Sequence, residues 1–383
     1  VKIAFVTETF PPEINGVAMT FGVITRELSR RHNVTVYRPT RSDLAQREKN
    51  SEIKEISLPG LPIPKYPELR LGLPAHGKLK KYWSNDRPDL VHVATEGPLG
   101  ASAISVAKKL KIPVTSSFHT NFHTYTKHYG IGAFKNVAIW WLRHVHNRTL
   151  ATFTPTEELI EELNAEGFKN LAILSRGVDS TQFGVQRRSE ELRANWGAKP
   201  DDPVVLHVGR MAPEKNYTLL FKAYKRMQAI APNARFVMVG DGPLKSRLEK
   251  EFPHAIFTGF VSRENLAQHY ASADIYIHAS LSETFGNVLT EAMASGLATL
   301  SFDYAATRKF VVNSTNGLAV ALGNDDEFIR ASTTLISDLA LRKRLGDEAH
   351  KSIKSQSWEI VIQHFEKQLS DIVNKFNSTL PRS

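Results

Sequence analysis

Short apolar, β-branched runs recur along the chain, and each is followed by a stretch whose apolar positions fall at helical spacing. A first series of predicted strands comprises Ile3–Thr7, Val34–Tyr37, Leu90–Val93, Val114–Ser117 and Ala151–Pro155. The pattern restarts at Val204–Val208 and continues through Arg235–Val239, Ile256–Thr258, Ile275–His278, Thr299–Ser301 and Leu318–Val320. Between the strands, Val17, Phe21, Ile24 and Leu28 share one helical face, as do Leu220, Ala223, Tyr224 and Met227. Continuous apolar strands alternating with helices mean parallel sheets covered on both faces. The expected fold is therefore α/β, with two doubly wound parallel-sheet domains over residues 1–180 and 181–357. The polar segment between Asp179 and Pro203 is the expected boundary.

Three stretches stand apart from this rhythm. Trp358, Ile362, Phe365, Leu369 and Ile372 form the stripe of a strongly amphipathic helix over 358–383, which must pack on something. The proline-rich apolar stretch Leu58–Pro74 has no periodicity and is expected to run as a loop outside the core. Trp140 and Trp141, by contrast, read as core residues of a packed helix.

Composition narrows the classes without choosing among them. The 383 residues suit two domains, and 42% apolar with 23% charged residues is ordinary globular content. With no cysteine, disulfides, thiolate metal sites and cysteine nucleophiles are excluded. No apolar run reaches the ~18 residues of a membrane span, and the start shows no secretory signal pattern. The first residues already read as a strand, so an initiator methionine is expected to have been lost or left out. A cytoplasmic protein is the matching expectation. The net charge of +10 is uneven: residues 1–180 carry 24 Lys/Arg against 17 Asp/Glu, leaving 25 against 22 for the rest. A basic first half suits an anionic partner as well as simple solubility. Lys78, Lys80, Lys81, Tyr82 and Trp83, and the run from Ile139 to Arg148, place cations beside aromatic groups, a pattern suited to an anionic membrane surface. No nucleic-acid-binding module surrounds these residues.

In open parallel sheets the ligand sits beyond the carboxyl ends of the strands, and the unusual residues fall in those loops. After the first strand comes Thr9-Phe10-Pro11-Pro12-Glu13-Ile14-Asn15-Gly16; a G-x-G-x-x-G fingerprint is absent, which argues against a nicotinamide dehydrogenase. Gly16 at a helix start lets a phosphate approach backbone N–H groups, or is only a turn residue. Arg210 and Lys215, in the loop beginning at Gly209, are placed to neutralise a diphosphate or stand as solvated charges. Gly240-Asp241-Gly242-Pro243 is a tight turn. Glu283 and Glu291 lie eight positions apart; a helical rise of about 12 Å between them is too long for the roughly 5–5.5 Å of a retaining glycosidase pair. That spacing suits hydroxyls at separated points of one ligand, or two capping glutamates. His119 and His123 have an i, i+4 spacing, but no third metal ligand is evident, so His119 reads better as a substrate contact than as a zinc ligand.

Taken together, Asn15-Gly16, Arg87-Pro88-Asp89 through Gly100, Gly209-Arg210 with Lys215, Gly240-Asp241-Gly242-Pro243 and the Glu283-to-Glu291 motif resemble the retaining glycosyltransferases of the glycogen-synthase-like family four. The resemblance spans nearly the whole chain. It leans to the subgroup of GDP-mannose-dependent α-mannosyltransferases and sulfoquinovosyl- or glucosyl-diacylglycerol synthases. It implies a GT-B architecture of two facing Rossmann-like domains, with an acceptor-binding domain over 1–180, a nucleotide-sugar domain over 181–357 and the terminal helix crossing back to the first. It also implies roles. Gly16 offers its N–H to donor phosphates; Arg210 and Lys215 hold the departing diphosphate; Glu283 accepts from the sugar; His119 touches the sugar near its anomeric carbon. Gly240, Phe285, Gly286, Asn287 and Val288 line the donor, Val261 borders the base and Glu291 holds the ribose. The implied donor is GDP-mannose ahead of a UDP-sugar, the acceptor a lipid or glycan, and no metal or other cofactor is required. A GT-B epimerase, a phosphorylase and a non-catalytic nucleotide-sugar binder are the competing readings. Two positions depart from the family pattern: Ala298, where proline is common, and Ala305-Ala306, where Gly-Gly is.

Overall fold

The computed structural model describes residues 1–13, 15–41, 53–63, 66–119, 132–283 and 285–379. Two compact units emerge: residues 1–176 with 358–383, and residues 177–357. The chain changes over at Arg176/Gly177, just ahead of the polar segment where the sequence places the boundary.

In the first unit the strands are β1 (Lys2–Val6), β2 (Asn33–Pro39), β3 (Lys54–Leu58), β4 (Gly60–Ile63), β5 (Tyr66–Gly72), β6 (Leu90–Val93), β7 (Val114–Ser117), β8 (Thr152–Thr154) and β9 (Leu171–Ile173). Seven of them form a parallel sheet in the order β3-β2-β1-β6-β7-β8-β9. One face packs Phe5, Phe21, Ile24 and Leu28 with Phe365 and Leu369 of the helix Trp358–Thr379. The terminal helix thus belongs to the first unit, where the ring of Phe365 meets that of Phe153 edge-on at 4.9 Å. The opposite face buries Val91, Leu99, Ile104 and Trp83.

Two expectations are corrected here. The stretch Leu58–Pro74 is not a loop: β4 and β5 pair antiparallel as a separate ribbon, a setting that tolerates Pro62 and Pro67 because neither lies in a central strand. Trp140 and Trp141 are not core: on the helix Gly132–His146 they are 54% and 38% exposed, while Ile139, Leu142 and Val145 turn inward.

The second unit holds β10 (Val204–Val208), β11 (Arg235–Val239), β12 (Ile256–Gly259), β13 (Ile275–His278), β14 (Ala298–Phe302) and β15 (Leu318–Val320). They form a parallel sheet in the order β12-β11-β10-β13-β14-β15. Helix Tyr217–Ile230 with Phe328 and Leu335 covers one face, and Tyr270, Leu289 and Met293 cover the other. In each sheet the strand order reverses once, between β1 and β6 and between β10 and β13, which opens a crevice at that point.

Candidate functional site

The reversal point of the second unit gathers the charged residues singled out in the sequence. Beyond β10, the loop from Gly209 ends in a turn at Pro213–Lys215 and feeds the helix Tyr217–Ile230. The Gly240 turn supports this loop by close backbone approach. A Cβ on Gly240 would lie 2.1 Å from the Gly209 carbonyl oxygen, and one on Gly242 would lie 2.5 Å from that of Met211. The Met211 N–H donates to Asp241 at 2.8 Å, locking the two loops together. Gly240 is therefore a packing requirement for the Arg210 loop. Arg210 itself is exposed, and its carbonyl accepts from the Tyr217 hydroxyl at 3.2 Å.

Lys215 turns the other way, onto Glu283 in the loop beyond β13. Their side chains are only 13% and 16% exposed. His278, the last residue of β13, donates from Nε2 to the same oxygen, Glu283 Oε1, at 2.9 Å. Its Nδ1 accepts from the Tyr276 hydroxyl at 3.2 Å, so the tautomer is fixed from behind. Burial alone would raise the Glu283 carboxyl; the hydrogen bond from His278 and the charge of Lys215 outweigh it and hold the carboxyl well below its usual range. Burial lowers His278, with the Glu283 bond opposing, so its imidazole is neutral. His207 lies nearly parallel to His278, ring centroids 5.8 Å apart, and burial pushes it down to about 3. The result is a carboxylate fixed in charge and direction, with a cation beside it. The two loops are joined again where Leu281 N–H donates to the Glu214 carbonyl at 2.9 Å.

Downstream, Gly286 adopts φ +96° and caps the helix Asn287–Ala294, a conformation that suits glycine. Phe285 is fully in the core, its ring edge-on to Phe310 at 5.9 Å, so its side chain is not open to a ligand, and its carbonyl accepts from Ala306 N–H at 2.8 Å. Asn287 Oδ1 is buried without a hydrogen-bond partner among the described residues. Val261 and Val288 are half-buried against the core. Glu291 accepts from the Tyr270 hydroxyl at 3.1 Å, and burial pushes its carboxyl up to about 7 against the opposing charge of Arg263.

In the first unit, Gly16 opens the helix Gly16–Ser29, where Asn15 Oδ1 accepts from Val17 and Ala18 N–H at 3.1 and 2.9 Å. A Cβ on Gly16 would come within 2.9 Å of Arg176 Nη1. The loop before it is anchored by Glu13, which takes Arg38 and Arg41 at 2.9 Å each; Arg38 also donates to the Pro11 carbonyl at 2.8 Å. His119 follows β7, its ring edge-on to Phe21 at 5.3 Å. Burial, then the charge of Arg176, lowers it well below an ordinary histidine. His123, its partner in the i, i+4 pair, lies outside the described residues, as does Thr284. Among the described residues, no three His, Cys, Asp or Glu side chains are grouped to hold a metal ion.

His278, Tyr276 and Tyr270 escape a reading by motif, because histidine and tyrosine inside an apolar strand or helix look like core. The one available signal was position: His278 is the last residue of a strand that ends at the crevice.

Residues 14–182 match the family described as Glycosyltransferase Family 4, and residues 188–352 match Glycosyl transferases group 1. Over 94% of its length the chain is 32% identical to 94% of the GDP-mannose-dependent alpha-mannosyltransferase of Mycobacterium tuberculosis. The chain belongs to glycosyltransferase family 4. It is also 25% identical to the alpha-monoglucosyldiacylglycerol synthase of Acholeplasma laidlawii, covering 99% of both chains. Among solved structures, Anabaena HepE in complex with UDP superposes with a TM-score of 0.79 at 16% identity, covering 97% of this chain and all of that one. That likeness establishes the GT-B fold. This family 4 glycosyltransferase is thus an enzyme that transfers sugar, with mannosyltransferases and glycolipid synthases among its relatives.

Proposed function

We propose that this glycosyltransferase moves mannose from GDP-mannose to a lipid-linked or glycan acceptor, with retention of anomeric configuration and without a metal ion. The observation that carries the reading is the buried cluster of Lys215, Glu283 and His278 at the reversal point of the second sheet. It sets a cation for a diphosphate beside a carboxylate for sugar hydroxyls. Because Lys215 and His278 both meet Oε1, Glu283 keeps Oε2 for the sugar. Arg210 and Lys215 neutralise the diphosphate as the C1–O bond breaks, the work a divalent cation would otherwise perform. The acceptor oxygen bonds to C1 on the same face, and its proton passes to the departing phosphate oxygen, so no protein nucleophile is assigned. Gly286, Asn287 and Val288 border the donor, Val261 its base, and Glu291 its ribose; Gly16 offers its N–H to phosphate and His119 meets the sugar.

GDP-mannose is favoured by the mycobacterial relative's full-length likeness. A UDP-sugar-dependent glycolipid synthase is the second reading, favoured by the Acholeplasma relative. A peripheral position on an anionic membrane is supported by two exposed groups of the first unit: Lys78, Lys80, Lys81 and Tyr82 on the helix His76–Asn85, and Val137, Trp140 and Trp141 with His144. No helix among the described residues is long and apolar enough to cross a membrane.

The test is calorimetric titration with GDP and with UDP in EDTA, followed by NMR of the anomeric carbon after incubation with the preferred nucleotide sugar and diacylglycerol vesicles. Tight GDP binding with an α-mannosyl product supports the proposal. UDP preference moves it to the second reading, and an inverted anomer or a requirement for added metal overturns the mechanism. Tight binding without turnover on any lipid or glycan overturns the proposed acceptor class.

A further inference from the structure

At the reversal point of the second sheet, the ladder between β10 and β13 ends with Leu206 opposite Tyr276. One step further on, a side chain takes over from the backbone: His207 Nδ1 meets the Ile277 carbonyl at 3.1 Å. A carbonyl only accepts, so Nδ1 carries the proton. Burial keeps this ring neutral, and its Nε2 is therefore an acceptor. That nitrogen lies against the start of the Arg210 loop, since a Cβ on Gly209 would come within 3.6 Å of it and within 3.7 Å of Lys215 Cε.

Tyr217 reaches the same loop from the helix that follows it. Asn216 holds φ +53° between the turn at Pro213–Lys215 and the helix Tyr217–Ile230, a left-handed step that asparagine tolerates. The Tyr217 ring is buried and stands edge-on to His207 at 5.4 Å. Its hydroxyl lies 3.2 Å from the Arg210 carbonyl and 3.4 Å from His207 Nε2. A phenol has one proton and both neighbours accept, so the proton is shared between the loop and the imidazole. The Arg210 carbonyl also accepts from Ala212 N–H at 2.9 Å, which makes Arg210 to Ala212 a tight turn pinned at one oxygen.

A phenylalanine would cover the same apolar surface, so the hydroxyl is not needed to fill space. What it adds is a fixed point on the peptide that carries the exposed Arg210 guanidinium. An arginine on a loose loop gives up backbone and rotamer freedom when it grips an anion; one on a loop already held gives up less. We propose that Tyr217, backed by His207, is the positioning residue of the diphosphate grip, its hydroxyl holding the Arg210 peptide so that the guanidinium is placed before the ligand arrives. The inference rests on the proposed reading that Arg210 neutralises the donor diphosphate.

Calorimetry on the full chain tests it, with GDP against GMP and UDP against UMP. The ratio of diphosphate to monophosphate affinity is read within each variant, so a lower folded fraction cancels. Tyr217→Phe is expected to lower that ratio about fivefold, the loss of one hydrogen bond, with monophosphate affinity close to wild type. In an Arg210→Ala background, Tyr217→Phe should change the ratio by less than about twofold, because the hydroxyl acts through Arg210. Thermal melting checks folding, and Tyr217→Met, which fills similar space without a hydroxyl, takes the place of Tyr217→Phe if that variant melts below the assay temperature. Equal losses of diphosphate and monophosphate affinity, an unchanged ratio, or the same drop in the Arg210→Ala background overturns the inference. If the wild type prefers the diphosphate and the variants give one of those results, this inference falls alone. A wild type that binds no nucleotide, or binds monophosphate as well as diphosphate, brings down the proposed diphosphate grip with it.

Discussion

Replacing Lys215 by methionine isolates the ion pair at the centre of the second unit. Lys215→Met keeps the length of the apolar stem and removes the charge facing Glu283. At roughly 4 Å between charge centres and an effective dielectric of about 20, the attraction is about 4 kcal/mol. Breaking a buried pair from one side is worth about 3–5 kcal/mol. Because His278 keeps its bond to Glu283 Oε1, the lower end applies, about 3 kcal/mol. For the 181 residues of 177–357, at about 2–4 °C per kcal/mol, this predicts a melting temperature roughly 6–12 °C lower. The double variant Lys215→Met/Glu283→Gln removes both charges and should recover most of the loss. A thermal-melt double-mutant cycle measures the coupling directly. Melting of Lys215→Met within about 1 °C of wild type, or coupling below about 0.5 kcal/mol, refutes the pairing. The cycle also bears on activity: single substitutions at these positions act on stability as well as transfer, so each loss of transfer is read beside the variant's own melting curve.

Three further outcomes are expected. Ala305 holds φ +51° where the helix Ala306–Phe310 begins, so Ala305→Gly should relieve strain and raise stability by about 1 kcal/mol net of glycine's added chain entropy; a lower melting temperature would refute this. Glu291 keeps its proton in the fold up to about pH 7 but loses it near 4.5 when unfolded, so its contribution falls by up to about 3 kcal/mol as pH rises through that window. Ribose hydroxyls favour the ionised carboxyl, so GDP should bind more tightly from pH 6 to 8 in calorimetry, and Glu291→Gln should flatten the trend. Phe365→Ala empties a site between Phe153 and His92 in the first unit and should destabilise it by about 3–5 kcal/mol in urea melts, leaving the nucleotide affinity of the second unit unchanged.

Much of the fold was legible because parallel strands buried on both faces must be apolar throughout, and each main strand predicted in the two series is present. β3 and β9 were missed for the converse reason: Lys54–Leu58 and Leu171–Ile173 are edge strands with little or no fully buried face. The chemistry was legible as far as position goes, since loops at strand ends are where open sheets bind ligands. What those residues do to one another was not.

The sequence alone determined two α/β sheets, the amphipathic terminal helix and the loops that bear Arg210, Lys215, Glu283 and Glu291. Tertiary structure decided the rest, because it depends on residues far apart in the chain. Lys215 and Glu283 meet across 68 positions, and their mutual neutralisation exists only when β10 and β13 lie side by side. The tryptophan pair faces outward although its spacing also fits a core, since only the helix's rotation against the sheet selects the buried stripe. Glu8, in sequence one polar residue after a strand, has its carboxyl packed against Gly97 of a distant loop, where a Cβ would lie 2.1 Å from Oε1. Periodicity reports which face of an element is apolar; the neighbours that face a charge are settled by packing.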